Sequence, residues 1–149
     1  MARTIALATL VAGTLDILFA AILSTIFGKG PATMLRGVAS GPFPDAGEWG
    51  PAGSALGLLT HFTLMAIMAT AFVFLARSRP WLVEMPYRAG LAYGLITYVI
   101  MNLLVVPLRF GNWPPTPRGI VTQLFAHIVL VGIPIALITA RTRRTRAFA

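Results

Sequence analysis

The sequence predicts an all-α, four-helix transmembrane bundle, and three observations carry that prediction. Hydrophobic residues make up 57% of the 149 and charged residues only 11%, against about a quarter charged in soluble domains. Four apolar runs, Ile5–Phe27, Gly53–Ala76, Ala89–Leu108 and Gly119–Ala140, each reach the roughly 20 residues that cross a ~30 Å hydrocarbon layer. Between them lie glycine, proline and most of the charge. The runs use most of the chain, so residues 1–149 read as a single transmembrane domain with no separate soluble part.

The basic residues set the orientation. Arg141, Arg143, Arg144 and Arg146 follow the last run, Arg77, Arg79 and Arg88 crowd the second connection, and Arg3 precedes the first run. Lys29, Arg36, Arg109 and Arg118 fall on the opposite side, together with Asp45 and Glu48. Basic connections stay inside, so both termini are expected to be cytoplasmic. The net charge of +8 raises nucleic acid as a partner, but no aromatic or fold context accompanies the short tail. The tail reads instead as a topology anchor touching anionic headgroups, with the lipid bilayer as the partner. The chain has no cysteine, which excludes disulfides, thiolate metal sites and thiol nucleophiles. The first run is about twice a signal-peptide core in length and carries Asp16 in its middle, so it is expected to be a retained span.

Each element follows from its pattern. In the first run, Thr9, Gly13, Asp16, Ala20 and Ser24 recur at helical spacing and form a small, polar face for neighbouring helices. Leu10, Leu18, Phe19 and Ile22 occupy the lipid side. The loop Gly28–Ala52 is the longest connection; Pro31 and Gly41 bracket a short helix whose Met34, Leu35 and Val38 suit an interfacial or capping position. The second run places Ser54, Gly57, His61, Met65 and Met68 on one stripe, with Phe62, Phe72 and Phe74 toward lipid. Pro80, Trp81 and Tyr87 mark the headgroup level of the inner connection. The third run carries Gly90 and Gly94 in GxxxG spacing, a signal for close helix contact within the bundle or between copies. It stops near Pro107, before the stiff Trp113-Pro114-Pro115 turn. The fourth run aligns Gln123, His127, Val131 and Pro134, and Pro134 is expected to kink it by clashing with the Leu130 carbonyl.

Counting residues from the outer edge places His61 and His127 ~12 Å deep, Asn102 ~9 Å and Asp16 ~16 Å. One polar residue from each helix thus falls in or near the outer half, with Gln123 beside them. Three readings of this polar centre stay open. In the first, Asp16, His61, Asn102, Gln123 and His127 form a hydrogen-bond cluster that ties the helices together. In the second, His61 and His127 are the cofactor-binding residues of a bis-histidine haem b site, an electron-transfer centre with Arg109 and Arg118 as propionate partners. In the third, Asp16 and the histidines are relay groups of a proton or small-solute path, built as an oligomer or one subunit of a larger assembly. Zinc is disfavoured because no HExxH-type spacing is present, and there is neither a phosphate loop nor a nucleophile elbow. No catalytic residue is assigned.

A resemblance accompanies these residues. His61-Phe62, Tyr93-Gly94, the stretch Met101 to Leu108 with Pro107, and His127 with Gly132-Ile133-Pro134 resemble small bacterial four-span proteins and, more distantly, the YagU family. Pro107-Leu108 followed by Pro114-Pro115 is similar to that family's Pro-Leu ending and Pro-Pro turn, whereas Asn102 and the outer loop depart from its pattern. The resemblance implies a bacterial inner membrane and supplies no reaction. The expected function is a non-enzymatic integral membrane protein, an accessory subunit or homo-oligomer organised round a polar centre.

Overall fold

The computed structural model describes residues 1–147, with side-chain surroundings through Arg144; the side chain of Arg146, counted above in the basic tail, lies outside the described residues. Four membrane-length helices form the body of the protein: span 1 (Ala2–Ile26), span 2 (Gly50–Ser78), span 3 (Pro86–Phe110) and span 4 (Pro117–Arg144). No strand occurs among the described residues. Each helix runs past its apolar stretch by a few residues, because the backbone ladder continues where the side chains turn polar. Thr116 starts span 4 by accepting from the Gly119 N–H, with Pro117 behind it as a pre-shaped first residue. Gly111 ends span 3 in the left-handed conformation at φ 66°, which a side chain would oppose.

Span 1 packs against spans 2 and 4, and span 4 packs against spans 1 and 3. The ring closes between spans 2 and 3 through side chains: Tyr93 donates to the Met68 carbonyl at 2.7 Å, and its ring meets Phe72 at 5.0 Å. Phe72 is fully buried, so the expectation that it faces lipid is corrected: span 2 turns it inward to fill this wider gap. Phe74 stays exposed, as do Leu10, Leu18 and Ile22 of span 1, where lipid is the solvent. Phe19, also expected toward lipid, is half-buried and packs its ring on Phe125 at 5.2 Å.

Small residues set how closely the spans approach. A Cβ at Gly94 would lie 2.5 Å from the His127 carbonyl oxygen and 2.6 Å from Ile128 Cα. A Cβ at Gly132 would overlap the Gly90 carbonyl. The GxxxG pair therefore works inside the bundle, against span 4.

Spans 3 and 4 each contain a π-helical stretch, Val99–Val105 and Ala126–Gly132, and each is followed by a proline at the second residue of the resumed α-helix. A proline lacks an N–H and presses on the carbonyl four residues back, so a wider turn just before it accommodates the disturbance. The disturbance expected at Pro134 coincides with the π-helical stretch that ends two residues before it. Span 3 likewise continues through Pro107 to Phe110 rather than stopping there.

The short loop helix spans Pro31–Ala39, followed by a 3-10 turn at Pro44–Glu48. It lies directly on span 2: a Cβ at Gly57 would overlap the Leu35 carbonyl, and one at Gly53 the Ala46 carbonyl. Its far end is held by Arg109, whose Nε donates to the Gly41 carbonyl at 2.6 Å and whose Nη2 donates to the Ser40 carbonyl at 2.8 Å. A cation there also complements the negative end of the helix dipole. This end of the bundle, the loop end, is thus roofed. The basic end carries the start of span 1, the last described turns of span 4 and the connection through the short helix Trp81–Glu84.

Candidate functional site

A cavity of about 290 Å³ lies beneath the loop helix, and all four spans contribute polar groups to it. Span 1 supplies Asp16, span 2 His61, span 3 Asn102, and span 4 Gln123 and His127. Apolar and thioether groups complete the wall, with Met34 and Val38 coming from the loop helix and Met65, Met68 and Met101 from the spans. A neighbouring recess of about 500 Å³ opens at the Trp113-Pro114-Pro115 turn. The two share Asn102, Val106 and Gln123, so these three side chains form the partition between them.

His127 is buried and fully engaged. The Asn102 amide nitrogen donates to its Nε2 at 3.0 Å. An amide NH₂ can only donate, so Nε2 accepts and the ring proton sits on Nδ1. That proton points to Thr97 Oγ1 at 3.1 Å, and the Thr97 hydroxyl in turn donates to the Gly94 carbonyl at 3.0 Å. The result is a directed chain from Asn102 to Gly94 that joins spans 3 and 4 at the level of both π-stretches. Tyr98 adds an edge contact to the ring at 6.1 Å.

His61 is differently placed. Its Nε2 donates to the Gly13 carbonyl at 2.9 Å, where the bare glycine lets span 2 come close. Its Nδ1 faces Asp16 Oδ2 at 3.8 Å. That distance lies within reach of an ion pair and beyond a hydrogen bond. Asp16 makes no hydrogen bond among the described residues, and its side chain is 21% exposed, toward the cavity. The two histidines are therefore not equivalent: one is consumed by the bundle, the other keeps a ring nitrogen and a facing carboxylate beside open space.

This geometry overturns the haem b expectation. Among the described residues no group of three or more His, Cys, Asp or Glu is arranged to hold a metal ion. Both nitrogens of His127 are spent on Asn102 and Thr97, so His61 and His127 do not offer a pair of free axial nitrogens. Arg109 holds the loop helix, and Arg118 lies over the Phe27 ring at 4.6 Å, so neither serves as a propionate partner.

The candidate residues Asp16, His61, Asn102, Gln123 and His127 thus surround one cavity, in two sets: Asp16 with His61, and Asn102 with His127. Thr97 was not singled out in the sequence, although a threonine one turn from Asn102 on the GxxxG helix was the available signal. The roof residues Met34 and Val38 belong to the short loop helix for which the sequence suggested an interfacial or capping position.

The Asn102–His127 bond gives a first expected outcome. Asn102→Ala and His127→Ala together should show a coupling of roughly 0.6–1.7 kcal/mol in a double-mutant cycle of unfolding in detergent. Strict additivity would mean that the chain from Asn102 to Gly94 does not hold the spans.

No protein-family model, curated protein or solved structure matches the chain. Nothing in those comparisons carries the YagU resemblance. What stands is a small all-helical, four-span membrane protein.

Proposed function

We propose that this chain is a non-catalytic membrane subunit whose polar centre binds a small amine-bearing or cationic solute. The supporting observation is Asp16 facing His61 Nδ1 at 3.8 Å on the wall of the 290 Å³ cavity. A carboxylate within a span that accepts no hydrogen bond among the described residues and has one histidine ring nitrogen at 3.8 Å is costly, and a cation in the adjoining space would offset that cost. The methionines and Phe19 around it suit the apolar body of such a solute. Nearer the basic end, fully buried Phe72, Val131 and Ile135 fill the bundle. Passage through the protein requires them to separate, so binding is the reading supported by the chain alone. Movement across the membrane falls to a larger assembly, a homo-oligomer or a set of partner subunits. The charge bias supports cytoplasmic termini with the cavity on the outer side, and the YagU-like motifs support a bacterial inner membrane.

The test follows thermal unfolding of the purified protein in neutral detergent while ethylammonium, ethanolamine, acetate or glycerol is added. The two amines should raise the midpoint saturably, and acetate and glycerol should not. Asp16→Asn should remove the response while keeping the helical content. A parent protein indifferent to both amines, or an Asp16→Asn variant that responds like the parent, would overturn the reading.

A further inference from the structure

The basic end of the bundle holds a second cavity, of about 370 Å³, where spans 1, 2 and 4 meet. Arg77 and Arg143 stand in its wall with Thr4, Thr139 and Thr142, above a floor that includes buried Val73. Among the described residues the wall holds no carboxylate, so two cations share the cavity with no described acid beside them.

Both guanidiniums are oriented by contacts that leave donors free. Arg143 Nη1 donates to the Ala76 carbonyl at 2.7 Å, one of the orphan carbonyls at the end of span 2. Arg77 lies 5.9 Å from the Phe74 ring centroid, and its Nη1 is 3.7 Å from Met1 Sδ. A guanidinium carries five N–H donors, so most remain after these contacts. Thr139 and Thr142 spend their hydroxyl protons on the Ile135 and Ile138 carbonyls of their own helix. Thr4 is 5% exposed, and its hydroxyl makes no hydrogen bond among the described residues. Beside Met1 at the mouth of span 1, the available side-chain donors in the wall are therefore two guanidiniums and the Thr4 hydroxyl, on three different helices.

Guanidinium pairs match phosphate oxygens in a bidentate way that a diffuse basic surface does not. The cavity also lies where the spans leave the apolar layer, at the depth of lipid phosphates. From this geometry we infer that the cavity is a binding site for a single phosphate-class anion, either the phosphodiester of an anionic phospholipid or free phosphate. Binding there would lock spans 1, 2 and 4 together, because Thr4, Arg77 and Arg143 would grip one group.

The test uses the full chain, delipidated in neutral detergent, with thermal unfolding as the readout. Phosphatidylglycerol, phosphatidylcholine and inorganic phosphate are titrated separately. Saturable stabilisation by phosphatidylglycerol alone assigns the site to a lipid headgroup, and equal stabilisation by inorganic phosphate assigns it to the free anion. Arg77→Gln with Arg143→Gln should weaken the apparent affinity at least about tenfold, as expected for lost charged hydrogen bonds. Thr4→Val removes no charge and keeps the volume, yet should weaken it by roughly fivefold through one lost hydroxyl donor. Arg88→Gln with Arg144→Gln removes the same charge outside the cavity and should leave the affinity unchanged. The inference is overturned if phosphatidylcholine acts as well as phosphatidylglycerol, if the Arg88/Arg144 pair of substitutions costs as much as the Arg77/Arg143 pair, if Thr4→Val has no effect, or if neither anion stabilises the protein.

Discussion

Gly132→Leu is expected to prevent stable folding, and Gly132→Ala to cost about 1–3 kcal/mol, the range of overpacking in a filled interior. The cause is local. A Cβ on Gly132 would overlap the Gly90 carbonyl and lie 2.7 Å from the Gly94 nitrogen and 2.9 Å from its Cα. All three neighbours are backbone, so no side chain can swing away. Spans 3 and 4 would have to separate, and separation also breaks the chain from Asn102 through His127 and Thr97 to Gly94. Gly37→Ala provides the contrast. That glycine lies exposed in the loop helix with nothing within 4 Å of a built Cβ, so alanine should be neutral or stabilise by up to about 1 kcal/mol. Unfolding in detergent, followed by circular dichroism, separates the two. Equal stability of Gly132→Ala and the parent would mean that the close crossing of spans 3 and 4 does not exist.

The spans themselves were legible because bilayer thickness imposes a length that composition alone reveals. A fixed rise per residue was also the reason to look for Asp16, His61, Asn102 and His127 together, and all four line one cavity. The inequivalence of the two histidines was not legible. It depends on Thr97, one helical turn away, and on the Gly13 carbonyl, a backbone group that no side-chain pattern announces. The π-stretches were only half visible. Pro134 signalled a disturbance in span 4, but a proline pattern does not distinguish a kink from a widened turn. Phe72 was misread against its own spacing: it lies seven residues after Met65 and four after Met68, on the inward stripe of span 2, and is buried there against Tyr93. Pairing thus lay outside the reach of periodicity, whereas the number and length of the spans did not.

Gly57→Val should lift the loop helix and open the polar centre. The side chain at 57 would overlap the Leu35 carbonyl, so the loop helix must shift, while span 2 stays helical because valine is tolerated in a membrane helix. An overlap costing about 1–3 kcal/mol moves a two-state lid roughly five- to 150-fold toward its open form. The chain has no cysteine, so a single introduced thiol reports access cleanly. Ala20 lines the cavity beneath the lid, and Ala20→Cys should react slowly with a water-soluble maleimide in the parent background. In the Gly57→Val background its reaction should speed up by at least the lower part of that range. Arg109→Gln, which removes both hydrogen bonds to the Ser40 and Gly41 carbonyls, should act in the same direction and more weakly, since Gly57 still seats the helix. Asn112→Cys, exposed on the turn between spans 3 and 4, should react at one rate in every background. If Ala20→Cys already reacts as fast as Asn112→Cys in the parent, the loop helix is no lid. If Gly57→Val leaves the Ala20→Cys rate unchanged, the loop helix is not seated on Gly57. A faster rate at Ala20 alone would identify Met34 and Val38 as the groups that close the cavity, and would make the seating of one short helix the step that controls entry to Asp16 and His61.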